Sequence, residues 1–293
     1  MKAYYNDGRG RYGTGESYDY FYKYDDNEEQ ETHTSNDGLW TYDFLPPDGC
    51  PEGIEILRYN GCETNITIPQ SIDGNKVVSL DSTFDGFYEL ENVIVPEGII
   101  YITGAFYGCE NLKKVTLPES LESIEYAFNC CFSLEKISIP PKVFNFSNAF
   151  SGTKIENFTF PQGTKDISNA FSGSGYIKKV SIPGSVTYTD EAFADCENLS
   201  EAIIENGVQN IDDYAFYCCN SLLELEIPES VHTFGRLSVG YTEIREYTDA
   251  RKTGYKIKGE ETVPGFKIKG VKGSAAEQYA KENGIPFIPV PGK

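Results

Sequence analysis

Apolar and polar residues alternate in short bursts along the middle of this chain, and the bursts recur every 21 to 23 residues. An apolar-x-apolar-Pro element stands at 93–96, 115–118, 137–140, 158–161, 180–183 and 225–228, and 202–205 is a copy without the proline. Three residues ahead of each lies another aliphatic: Leu90, Leu112, Leu134, Ile155, Ile177, Leu199, Leu222. A second series is aromatic, at Phe84, Phe106, Phe128, Phe150, Phe171, Phe193 and Phe216, each but the first preceded by Ala. Alternation with period two predicts a short strand with one face buried, and the following proline ends it because it has no N–H to give a ladder. Units this short cannot bury an apolar face alone. They must stack, like over like, at about 4.8 Å per coil, so that seven coils span roughly 34 Å.

The unit reads leucine-x-x-isoleucine-x-isoleucine-proline, then valine-x-x-isoleucine, then alanine-phenylalanine-x-x-cysteine, most clearly at 112–128 and 134–150. It resembles the BspA-like leucine-rich repeats of bacterial surface proteins, from about residue 66 to 234 and, through the ends, to about 290. The resemblance implies a leucine-rich-repeat solenoid of right-handed stacked coils, β-rich with little helix. Departures from the unit are Thr164 and Thr189 for aliphatics and Thr153 and Ser174 for the cysteine, and these should weaken packing locally.

A solenoid exposes apolar surface at each end, so its flanks should differ from its repeats. Upstream, 40–44 alternates like a strand, a Pro46-Pro47-Asp48-Gly49 turn follows, and 54–59 makes a second strand, which together predict a hairpin cap and lead-in segment over 39–75. The repeats then occupy 76–234. Downstream, in 235–293, residues 235–262 predict a longer loop or hairpin. Ser274-Ala275-Ala276-Glu277 has the pattern of a capping box, starting a helix over 275–282 that lays Ala276, Tyr279 and Ala280 on the last coil before a left-handed stop at Asn283-Gly284. Residues 1–38 carry seven tyrosines by position 24 and nine acidic against four basic side chains, a composition that predicts a disordered tail.

Composition narrows the function. With 25 basic and 45 acidic residues the net charge is −20, which disfavours nucleic acid or an anionic membrane as partner. No run is apolar enough to cross a bilayer, so no membrane insertion is expected, and no signal-peptide h-region opens the chain. Secretion or display at the cell surface, with an export signal removed, is the expected location.

Motifs of chemistry are weak. Cys109, Cys131, Cys196 and Cys219 each follow a ladder Phe by three, which makes them core positions rather than ligands. Cys50 and Cys62 lie outside that series and form the one disulfide candidate. Gly8-x-Gly10-x-x-Gly13 follows no strand, and Asp25, Asn27 and Glu29 lack the glycine and terminal glutamate of a calcium loop. Only His33 and His232 are present, no nucleophile elbow occurs, and no two carboxylates are grouped as in a glycosidase. The chain reads as no enzyme, with no cofactor and no metal.

The outward strand face remains. One column reads Asn92, Lys114, Lys136, Asn157, Lys179, Glu201, Glu224 and the next Ile94, Thr116, Ser138, Thr159, Ser181, Ile203, Glu226. With Lys113 and Lys178 this makes a basic, hydroxyl-rich stripe on an acidic molecule. The candidate binding residues are Asn92, Lys114, Thr116, Lys136, Ser138, Asn157, Thr159, Lys179 and Ser181. The resemblance implies an adhesion module that recognises protein or glycan through a solenoid face, here expected to be this one, and a monomer is expected. The alternative is a passive spacer or targeting module of a larger secreted enzyme assembly, and an exposed aromatic patch would favour binding over that.

Overall fold

The computed structural model describes residues 32–46, 51–247 and 255–292. Three strands open it: β1 (His33–Thr34), β2 (Trp40–Phe44) and β3 (Ile54–Tyr59), followed by β4 (Asn65–Thr67), β5 (Ser71–Ile72) and β6 (Asn75–Asp81). The coils carry β7 (Asn92–Ile94), β8 (Tyr101–Thr103), β9 (Lys114–Thr116), β10 (Asn157–Thr159), β11 (Lys179–Ile182), β12 (Glu201–Ile204), β13 (Asn210–Ile211), β14 (Glu224–Glu226) and β15 (Thr233–Phe234). The chain closes with β16 (Tyr241–Tyr247), β17 (Tyr255–Thr262), β18 (Lys267–Val271), α1 (Ala275–Glu282) and β19 (Phe287–Val290). No helix among the described residues is long and apolar enough to cross a membrane.

Stacking produces two parallel ladders, because each coil passes twice through extended backbone. The first joins β4, β7 and β9, then β10, β11 and β12, then β14, β18 and β19, with like residues in register: Asn92 beside Lys114, Val93 beside Val115, Ile94 beside Thr116. The second runs from β6 to β8, continues through single bridges at Tyr101, Ser123, Asn145, Asp166 and Tyr188, and resumes at β13 and β15. The hairpin of β2 and β3 joins this second ladder, since β3 lies parallel to β6. The expected hairpin cap is therefore a hydrogen-bonded extension of the solenoid.

Inside, the ladder phenylalanines stack with ring centroids 5.2 to 6.1 Å apart. Trp40 and Tyr59 close the upstream end against Phe84, and Tyr279 stacks on Phe234 at 4.3 Å downstream. The ladder cysteines are buried, and they also donate: the thiols of Cys109, Cys131, Cys196 and Cys219 reach the carbonyls of Phe84, Phe106, Phe171 and Phe193 in the preceding coil. Burial pushes the Cys109 thiol up to about 12, which keeps it protonated. The polar replacements are hydrogen-bonded too, and Ser174 takes over the cysteine's inter-coil bond. Ser174 Oγ donates to the Phe150 carbonyl, Thr153 and Thr164 bond within their own turns, and Thr189 exchanges bonds with Asp212.

A recurring left-handed residue turns each coil after its Phe. Gly86, Gly108, Gly152 and Gly173 occupy it, but so do Cys130 at φ 61°, Asp195 and Cys218. A side chain in that region costs about 1–2 kcal/mol, partly offset by the extra freedom glycine gives the unfolded chain. Cys130, half-buried, is the better site for relief, and Cys130→Gly is expected to raise stability by roughly 0.5–1 kcal/mol in urea unfolding. A loss of stability would show that its side-chain contacts outweigh the strain.

Three expectations need correction. Order begins before residue 39, because β1 pairs with β2, while residues 1–31, with the glycine-rich and calcium-like motifs, lie outside the described residues, as does most of the turn at 46–49. Helix α1 has the expected bounds, but its capping box is not formed: Glu277 accepts from the Gly273 N–H, and Ser274 Oγ is buried without a partner. Its C-terminus is as expected, with Gly284 at φ 65° and the Ile285 N–H returning to the Ala280 carbonyl. Finally, no strand forms at 137–140, and the first ladder is broken there. The segment 235–262 contains a hairpin, β16 with β17, inserted within a coil.

Candidate functional site

Strand alternation turns Lys114, Thr116, Lys136, Ser138, Asn157, Thr159 and Lys179 outward, and all are exposed, whereas Asn92 and Ser181 are half-buried. Asn92 Nδ2 donates to Asn65 Oδ1 one coil earlier. The basic stripe is largely neutralised by its own register. A period of 22 residues sets Lys113 against Glu91 at 2.9 Å, Lys178 against Glu156 at 2.7 Å and Lys179 against Glu201 at 2.6 Å. Further along, Lys269 pairs with Glu224, and the ammonium holds that carboxyl below its ordinary range. Exposed pairs of this kind contribute about 0–1 kcal/mol each to stability, but they cancel charge that a partner would otherwise meet. Lys114 and Lys136 alone of these columns' lysines have no ion-pair partner among the described residues.

These two lysines flank the broken ladder. β9 and β10 do not reach each other, and Lys136 and Ser138, expected to sit in register between them, hydrogen-bond to neither. A slot of about 240 Å³ opens at this place, between Thr116 and Leu117 on one coil and Ser138 and Ile139 on the next, with Glu119 on its wall. Bulky rings adjoin it. Phe158 and Phe160 fill strand positions that neighbouring coils give to Val180 and Ile182, and Phe146 stands where Ile124 does one coil before; the three rings lie 4.8 to 6.0 Å from one another. Leu117, Ile137 and Ile139 are left half-buried while Phe158 and Phe160 are buried.

A second surface was not read from the sequence. On the turn between the ladder Phe and the next strand, Tyr88 is 59% exposed, Tyr176 50%, Phe132 44% and Tyr107 42%. The signal was there, as aromatics standing between two regularly spaced core positions, but the Phe ladder accounted for the aromatic content and hid them.

The remaining candidates separate. Cys62 is an exposed free thiol, and Cys50 lies outside the described residues. His33 stacks on Tyr42 in the cap and His232 is exposed near β15. Among the described residues no three His, Cys, Asp or Glu side chains are grouped to hold a metal.

Comparison with known proteins agrees with this architecture. The chain matches the BspA type leucine rich repeat region in six copies, over residues 80–190 and 146–253. Among solved structures it is similar to a leucine-rich repeat protein of T. pallidum, 27% identical with a TM-score of 0.54, covering 69% of this chain and 86% of that one. A leucine-rich repeat protein from Bacteroides ovatus is 20% identical with a TM-score of 0.57, over 79% of this chain and 70% of that one. None of the curated proteins matches. Repeat unit, coil stacking and family match together place the chain in the BspA-type leucine-rich repeat family.

Proposed function

We propose that this chain is a non-catalytic binding module, exported to the cell surface or beyond it, that recognises protein or glycan through the outer face of its solenoid. The observation that carries this reading is uncovered apolar surface. Tyr88, Tyr107, Phe132 and Tyr176 on the turn edge, with Ile94 and Ile203 on the strand face, are all more than 40% exposed on a molecule that could cover itself with its 45 acidic residues. A spacer has no use for such residues, whereas aromatic rings with polar neighbours suit contact with protein or sugar.

The test is a glycan-array and matrix-protein screen at physiological salt with wild type and three variants. Lys114→Glu with Lys136→Glu is expected to abolish a strand-face hit, while Lys179→Glu, whose lysine is already paired with Glu201, should change it little. Tyr88→Ser with Tyr176→Ser would instead abolish a hit on the turn edge. Folded protein that binds nothing in either screen would leave the spacer as the better account.

A further inference from the structure

We propose that the break in the first ladder is a docking slot for an extended, acidic peptide segment of a protein partner. The inference rests on the binding role above and narrows it to one site and one class of ligand.

Backbone is the first argument. Between residues 135 and 139 no N–H or C=O is hydrogen-bonded to either adjacent coil. The ladder is interrupted once more, between β12 and β14, but there each strand keeps a partner on its other side, β11 and β18 respectively. Among the described residues of this ladder, only 135–139 is unpaired on both. The coil is not loose, because it is held on its other sides: the Phe144 N–H reaches the Glu122 carbonyl at 3.0 Å, and the Phe128 N–H reaches the Ala149 carbonyl at 3.0 Å. A rigid coil whose N–H and C=O groups at 135–139 meet neither adjacent coil leaves them for the backbone of a peptide lying along the face.

Size is the second. At about 240 Å³ the slot is below the roughly 300–1,000 Å³ of small-molecule sites, and it admits one side chain of a longer ligand lying along the face. Half-buried Leu117, Ile137 and Ile139 give that side chain an apolar seat.

Charge is the third. Lys114 and Lys136 stand two residues before Thr116 and Ser138 on the same outward side, about 7 Å from the slot mouth by strand geometry. Among the described residues neither ammonium group has an ion-pair partner, on a molecule of net charge −20. A carboxylate two positions from the inserted side chain meets them. Glu119 on the slot wall sets the direction, since it repels an acidic residue at the opposite end.

Two measurements test the proposal. In the free protein, amide hydrogen exchange at 135–139 should be at least about tenfold faster than at β9 and β11, whose amides are laddered; equal protection would remove the premise. Selection of random twelve-residue displayed peptides on the intact protein should then enrich sequences with alternating apolar or β-branched residues and an Asp or Glu. Enriched peptides should slow exchange at 135–139 and bind Lys114→Glu/Lys136→Glu at least roughly tenfold more weakly at 0.15 M salt. Enriched peptides without acidic residues, or binding unchanged in that variant, would overturn the slot. Glycan binding without peptide enrichment would overturn it too and leave the binding role standing, whereas failure of peptide, glycan and matrix screens together would remove both.

Discussion

Replacing Phe128 by Ala is expected to lower the unfolding free energy by about 3–5 kcal/mol, the largest effect of any single substitution considered for this chain. The ring is fully buried and lies between Phe106 at 5.5 Å and Phe150 at 5.9 Å, nearly parallel to both. A cavity there cannot close by collapse. Backbone bonds fix the coil on either side, from the Phe106 N–H to the Ala127 carbonyl and from the Phe128 N–H to the Ala149 carbonyl, so neighbouring coils are held at their spacing. Because each coil contacts only its neighbours, the loss should also divide the unfolding transition, with the coils on the two sides melting apart. Urea unfolding followed by fluorescence and by far-ultraviolet dichroism checks both points. A loss below about 1 kcal/mol with a single coincident transition would mean that the aromatic spine does not hold the solenoid together.

The second large effect is one of pH and belongs to the cap. Glu55 on β3 is buried, accepts from Ser79 Oγ at 2.6 Å, and has its carboxyl pushed up from 4.5 to about 7, chiefly by burial and then by the charges of Asp81 and Asp43. A carboxyl that holds its proton more tightly folded than unfolded contributes stability that is complete below about 4.5 and lost as pH rises through about 7. The shift corresponds to about 3 kcal/mol between those limits. Asp190 moves in the same direction, to about 6, through partial burial and then the nearby Glu191, Asp213, Asp212 and Asp166, but it is exposed and water screens most of its effect. Wild type should therefore melt at a lower temperature at pH 8 than at pH 5. Glu55→Gln keeps an acceptor for Ser79, so it should flatten that dependence and be the more stable protein at pH 8. A variant that retains the full slope would assign it to other carboxylates.

Much of this was legible along the chain. The Phe ladder, the hairpin of β2 and β3, and the bounds of α1 all follow from local pattern: apolar period two before a proline, a turn-separated strand pair, and a Gly after the last apolar residue of a short helix. The lysine pairs were within reach as well, since Lys113 and Glu91 are 22 residues apart and the period is 22. Other features depended on bonds that spacing does not show. The Ser274 amide, which a capping box would give to Glu277, is donated to the Val271 carbonyl, and Glu277 accepts from the Gly273 amide instead. The donor role of the ladder cysteines was hidden for a similar reason. A buried thiol looks like a small hydrophobe until a carbonyl of the preceding coil is placed at 3.2 Å from it.

The broken ladder marks the limit most sharply. Residues 137–140 read Ile-Ser-Ile-Pro, as good a copy of the strand element as any in the chain, yet they form no strand. Beside it stand bulky rings, Phe146 in the same coil and Phe158 and Phe160 in the next, at positions that other coils give to aliphatics. The sequence by itself determined what repeats, because the period of the apolar pattern is a local property and stacking is the one way to bury it. Only the tertiary structure decided where the repeat fails and which lysines remain uncompensated, because side-chain volume and charge act between coils some 22 residues apart, at distances that no reading of one coil at a time contains.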